Sequence, residues 1–247
     1  MWVALGLSVI CGLLVMPGVR VGRGRARPLL KGTGEQWRRN YGRRSLLRLL
    51  GAVAAAGALA YSGLDRLVDE RVGGGTRSSG GDNVSAVIRF SGERFWFLNW
   101  LLVACIDAWW RSGGFSRWGR RNFEAMVVGL PTLWAVQRGL GADRPSAAAA
   151  DPRWHPLSAA HSASGHTFMA AIPWLNLART WRLPLGRRFA YVGSALTGWS
   201  RMNDRKHYLS QVILGWTIAW NAVDAVQDHG GNEATNIQRI PDETPAS

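Results

Sequence analysis

The chain has 247 residues and a formal net charge of +14, carried almost wholly by arginine. That length suffices for one domain with a sizeable core, and the charge points to an anionic partner, either nucleic acid or a membrane surface. Two isolated cysteines, Cys11 and Cys105, each within an apolar run, exclude a disulfide framework and a zinc-binding spacing.

Met1 to Val19 carries no charge and is long enough to span a bilayer. It has no basic leader and no small-residue cleavage site, which argues against a cleaved signal peptide. Arg20 to Arg44 follows with nine basic residues and one acid, Glu35. Leu46 to Leu64 is a second span candidate, with Arg48 near its edge, where the long side chain can reach the interface. Residues 1–64 therefore read as membrane-anchoring segments around a basic loop. Asp65 to Arg94 balances five acids against five arginines and contains the Gly/Ser-rich stretch Gly73 to Gly81, expected as a flexible connection. Phe95 to Trp110 is apolar and aromatic, interrupted by Asn99 and Asp107. Asp107 is either an interior functional acid or an argument against a span there. The 14 tryptophans mostly lie in or beside such runs and fit either core packing or an interfacial aromatic belt.

Arg111 to Arg121 adds four arginines and no acid. Phe123 to Gln137 reads as a helix that Pro131 can kink. Arg138 to Gly165 is a long loop, and loops of that length are commonly functional or disordered. Its His155 and His161 fit solvated loop residues or, alternatively, a lid contacting substrate. Thr167 to Ala178 is helical by pattern, with Pro173 inside it. Arg179 to Arg188 is again basic, and Phe189 to Ser200 and Tyr208 to Val223 complete the apolar series. Residues 229–247 form a polar tail with no expected structure. No period-2 alternation stands out, so the chain reads as all-α, with a helical core over 65–228.

Charge alternates between the connections. Loops 20–45, 111–121 and 179–188 are strongly basic, whereas 65–94 and 138–165 are near neutral. This is the positive-inside pattern of a multi-pass membrane protein. It disfavours a nucleic-acid binder, which would gather its basic residues on one continuous face. Against it stand several apolar runs of only 12–16 residues and a mean hydropathy of −0.07.

Three polar clusters lie at the ends of apolar helices. Arg144-Pro145 follows one helical run, Ser164-Gly165-His166 opens another, and Ser200 to Gln211 (SRMNDRKHYLSQ) joins the last two. At 3.6 residues per turn His207 and Gln211 share a face, so Gln211 can hold one ring nitrogen and leave the other free. Arg201 offers a planar fork of donors suited to a phosphate.

In order and spacing these clusters resemble the type 2 phosphatidic acid phosphatase superfamily, whose signatures are K-x6-R-P, P-S-G-H and S-R-x5-H-x3-D. Here they read QRGLGADRP (Gln137 to Pro145), ASGH (Ala163 to His166) and SRMNDRKHYLSQ. The resemblance implies a multi-pass membrane bundle with a core of antiparallel helices, and hydrolysis of a lipid phosphate or polyprenyl diphosphate through a phosphohistidine. His207 would be the nucleophile, and His166 the acid for the leaving oxygen. Arg144, Arg201 and the Ser164 and Gly165 amides would hold the phosphate. No metal and no cofactor is expected. The implied substrate is a membrane lipid, with inorganic phosphate as product and the site at the non-cytoplasmic face. Three positions depart from the pattern. Gln137 replaces the phosphate-binding lysine, Ala163 the proline, and Gln211 the aspartate that would orient the nucleophile. These losses leave open a weakened enzyme or a headgroup binder without turnover; the related vanadium haloperoxidases are usually larger and soluble.

Overall fold

The structure is a computed structural model that describes residues 32–75, 77–109, 113–147 and 150–227. The apolar segment Met1 to Val19, Cys11 and the tail 229–247 lie outside the described residues. Those described are all-α, with helices α1 (Thr33–Asn40), α2 (Arg43–Ser62), α3 (Leu64–Asp69), α4 (Ser79–Arg89), α5 (Phe95–Trp109), α6 (Gly114–Leu140), α7 (Gly165–Thr180), α8 (Pro184–Asn203) and α9 (Leu209–Gln227). A π-helical turn (Glu70–Gly75) follows α3 and a 3-10 turn (Phe90–Gly92) follows α4.

Three expectations need correction. The Gly/Ser stretch 73–81, expected as a flexible connection, closes the π-helical turn and opens α4. Ser78 caps α4 by accepting from the Gly81 amide at 3.1 Å, so the Gly/Ser stretch starts a helix rather than preventing one. The basic segment 111–121 is not a loop throughout, because α6 begins at Gly114. Arg120 has buried partners, reaching Glu124 at 2.8 Å and Asp107 at 3.7 Å. Asp107 also accepts from Ser116 at 2.6 Å, which makes it a structural acid tying α5 to α6. Finally, α8 starts at Pro184, so Arg187 and Arg188 are helical. Pro at the first turn costs no hydrogen bond, since that amide has no partner in any case. Pro131 and Pro173 lie within α6 and α7, which continue past them.

The core lies between α6, α7 and α9, where Met126, Phe168, Ile172, Leu175, Leu214 and Ile218 are sealed from solvent. Within it Asn176 donates to Asn122 at 2.8 Å, satisfying one buried amide with another. End-to-end contacts set the helix directions. At one end the Ser164 amide donates to the Gln211 carbonyl at 2.9 Å. At the other, Gln227 donates to Asn176 at 2.9 Å and Arg121 reaches Gln227 at 3.4 Å. Thus α7 and α9 run the same way, and α6 and α8 run against them. From α6 to α9, sequence neighbours therefore run antiparallel, while α7 and α9 are parallel.

Among the described residues one helix, α2, is long and apolar enough to cross a membrane, with mean hydropathy 1.4. Only 17% of that window is buried, so α2 is not an ordinary core helix. The shorter apolar helix α5 leaves Leu98, Leu102 and Ile106 exposed at a spacing of four, and α8 leaves Leu185, Phe189, Val192 and Leu196 exposed at spacings of four and three.

Candidate active site

The chain reverses between α8 and α9. Arg205 adopts φ 52°, and the amides of Lys206 and His207 both donate to the Arg201 carbonyl, at 2.9 and 3.3 Å. The turn therefore fixes Arg201 and His207 against each other. Two acids from upstream clamp it. Asp69 grips the Arg205 guanidinium with contacts of 2.6 and 3.2 Å. The wholly buried Asp65 accepts from the Ser210 amide at 3.0 Å and from its hydroxyl. A carboxylate there satisfies the open first turn of α9 and complements its dipole. Burial raises the Asp65 pKa, and the two Ser210 bonds oppose that rise.

Gln211 decides which nitrogen of His207 is free. Its Oε1 accepts from the Tyr208 amide at 3.3 Å, and its Nε2 donates to the Asp143 carbonyl at 2.8 Å. A backbone amide can only donate and a carbonyl can only accept, so the carboxamide has one allowed orientation. Its Oε1 then faces His207 Nδ1 at 2.7 Å. That ring nitrogen must carry the proton, which leaves Nε2 with its lone pair. A neutral side chain thus enforces one tautomer of His207, and it also ties the Asp143-Arg144 loop to that ring.

One expected result follows. Gln211→Glu keeps the length and the acceptor but sets an oxygen against the Asp143 carbonyl. It should cost about 1–3 kcal/mol of stability and raise the His207 pKa through the added charge. Thermal unfolding and an NMR titration of the imidazole would check this; an unchanged melting temperature at pH 7 contradicts the bridge.

His207 is 5% exposed, and burial lowers its pKa from 6.5 to about 3, with Arg201 and Arg144 adding to the effect and the Gln211 bond opposing it. The ring is therefore neutral, hence nucleophilic, at neutral pH. The unfolded chain binds a proton below 6.5 that the folded chain refuses until about 3. Stability contributed by neutral His207 is thus complete above pH 6.5 and is lost as pH falls toward 3. Each unit in that window removes up to about 1.4 kcal/mol. Urea unfolding of the parent and His207→Gln between pH 7 and 4 should show a shallower acid slope in the variant; parallel slopes would refute the assignment.

Ser164 caps α7, its hydroxyl accepting from the Thr167 amide at 3.3 Å, so the helix opens at Gly165-His166. A Cβ on Gly215 would lie 2.4 Å from the Ser164 carbonyl. Only glycine allows α9 this close to the α7 terminus. Gly92 plays the same part on the other side, where a Cβ would meet the His166 backbone at 2.6 Å. This contact brings Glu93 to 3.6 Å from His166 Nε2. Burial lowers the His166 pKa, the cationic field of Arg201 and Arg144 lowers it further, and the Glu93 carboxylate opposes the shift.

The two arginines differ. Arg144 is exposed, and its guanidinium has no hydrogen-bond or ion-pair partner among the described residues. Arg201 is 8% exposed; Nη1 meets Asp204 at 3.3 Å, and among the described residues the buried Nε has no partner. Arg89, Arg144 and Glu93 all act on Arg201 electrostatically, and Arg201 and Arg144 act on both His166 and His207. A buried donor without an acceptor, among more cations than carboxylates, suits an anion.

His166, His207, Arg144 and Arg201 thus share one electrostatic neighbourhood. Gln211 orients the ring, and Ser164 and Gly165 form the α7 terminus, but the Ser164 amide expected on the phosphate is already given to the Gln211 carbonyl at 2.9 Å. Gln137 donates to the Ala163 carbonyl at 2.8 Å and so braces the approach to α7. Sequence reasoning missed Glu93, the Asp65 and Asp69 clamps and the Asp143 carbonyl. In the turn, Asp204 accepts from Ser85 at 2.7 Å and pairs with Arg201. His161, read as a loop residue or a lid, contributes to the field at His207; burial lowers its own pKa. No His/Cys/Asp/Glu cluster suited to a metal occurs among the described residues.

Comparison with known proteins adds one result: the family model described as PAP2 superfamily matches residues 125–226. No curated protein and no solved structure matches the chain.

Proposed function

Residues 125–226 place the chain in the PAP2 superfamily, whose members are generally phosphatases, and on that premise we propose that it hydrolyses a lipid phosphate or polyprenyl diphosphate through a phosphohistidine. The observation that carries this is Arg201, buried with an unpartnered Nε beside Arg144 and both histidines. His207 Nε2 attacks phosphorus and the bond to the leaving oxygen breaks, while His166 gives that oxygen its proton. Water then attacks phosphorus, the N–P bond breaks, and His166 recovers a proton as inorganic phosphate leaves. Arg144 and Arg201 stabilise the charge on the non-bridging oxygens.

The proposed setting is a membrane, crossed several times, with the site at the non-cytoplasmic face. The exposed apolar stripes on α2, α5 and α8 support it. So does the segregation of charge. Arg48, Arg121 and Arg179 contact the C-terminal end of α9, and the candidate site lies at its N-terminal end.

The test is phosphate release by purified protein from a panel of lipid phosphates and polyprenyl diphosphates, with and without vanadate, which mimics the phosphoryl transition state. Vanadate-sensitive release from one of these classes is the expected result. A second reading, a headgroup binder without turnover, draws on Gln137, which supplies no cation where the family has lysine. Binding without release across the whole panel would select it.

A further inference from the structure

We propose that the end of the molecule opposite the catalytic groups holds a second, non-catalytic site for the phosphate of an anionic phospholipid, with an acyl chain laid along α2. The site is a cleft of about 480 Å³ between the α1–α2 turn and the C-terminal ends of α7 and α9. Its lining includes Arg39, Arg43, Arg44, Arg48, Arg179 and a single acid, Asp224. Asp224 is already committed. It binds Arg48 and Arg179 and accepts from the Trp220 indole at 3.1 Å, while Arg179 lies 5.0 Å from that ring. These bonds make a fixed wall.

Arg43 and Arg44 are different. Both are exposed, and neither side chain has a hydrogen-bond or ion-pair partner among the described residues. They are the first two residues of α2, whose amino terminus has no side-chain cap. Two free guanidinium groups and uncapped amides together favour a phosphate.

An open face of α2 beside the cleft shares Arg43, Arg44 and Arg48 with it and adds Leu47. Leu47 lies three to four residues beyond the two arginines, on the same helix face. Leu46, Leu47 and Leu50 are all exposed, and α2 is apolar enough to cross a membrane. Cationic and apolar surface thus follow each other along one helix, in the order in which a phospholipid presents headgroup and chain. A nucleic acid would match the first part and not the second. Asp224 and Gln211 are 13 residues apart on α9, about 20 Å along the axis, so the cleft is separate from the catalytic groups. The inference rests on the membrane setting, not on the phosphatase chemistry.

The test uses the full chain in detergent micelles doped with phosphatidylglycerol or with phosphatidylcholine, and inorganic phosphate as a third arm. Phosphatidylglycerol is a phosphodiester and so a poor substrate for a monoester phosphatase. It should bind and raise the melting temperature where phosphatidylcholine and inorganic phosphate do not. Arg43→Gln with Arg44→Gln should weaken that binding about thirtyfold, the paired Lys variants should largely retain it, and phosphate release should stay at the parent level. Equal binding of phosphatidylglycerol by the Gln pair, or equal protection by inorganic phosphate, overturns the proposal. Failure of phosphate release in the parent protein would instead strike the catalytic reading, and leaves the lipid-binding arms fully interpretable.

Discussion

Replacing His207 with alanine should abolish phosphate release, by roughly 10⁴-fold or more, as for other deleted nucleophiles. No neighbour can take over the attack. Gln211 is held by Tyr208 and Asp143, and His161 and His166 start from other elements, the long loop and α7. The fold should survive, because the turn is made by backbone bonds to the Arg201 carbonyl and by the Asp69–Arg205 pair, neither of which uses the imidazole. Substrate affinity should fall much less than turnover, since Arg144 and Arg201 remain. Steady-state kinetics would separate the two effects. A second readout is label from a phosphorus-labelled substrate retained on the protein after an alkaline quench, expected in the parent and absent in His207→Ala. Turnover in the alanine variant within tenfold of the parent would end the phosphohistidine reading.

Arg201→Met should move activity and stability in opposite directions. The guanidinium is buried, its Nε is unpartnered, and it lies in the field of Arg89 and Arg144. Methionine fills nearly the same volume without a charge to desolvate. Asp204 keeps Ser85 at 2.7 Å and Arg89 at 3.5 Å. The variant should therefore gain about 1–3 kcal/mol of stability. The rate should fall by about 10²- to 10³-fold, the usual loss when one donor to the developing charge is removed. Thermal unfolding and kinetics on the same preparation give both numbers. A lower melting temperature would show that the fold, rather than a ligand, holds Arg201 in place.

Much of this site is legible in the sequence because it is local. The His207–Gln211 bond follows from helical spacing, and the Ser164 cap from a polar residue before an apolar run. The parts that were not legible come from far along the chain. Asp65 meets Ser210 across 145 positions, Asp69 meets Arg205 across 136, and Ser85 meets Ser200 across 115. No periodicity reports such pairs. The segment that supplies them reads as a mixed-charge connection, since glycine and serine disguise the start of α4. The orientation of Gln211 was equally hidden. An isolated glutamine turns either way, and only the Asp143 carbonyl and the Tyr208 amide remove the choice. The extent of α6 was misjudged for a related reason. Arg120 suggests solvent until its buried partners Asp107 and Glu124 are seen.

The clamp on the His207 turn also bears on how the molecule can be divided. Asp65, Asp69, Ser85 and Glu93 all precede residue 125, where the match to the family begins. A chimera grafting residues 125–226 onto a foreign amino-terminal half would inherit both histidines and both arginines. It would lack the struts that hold them in register.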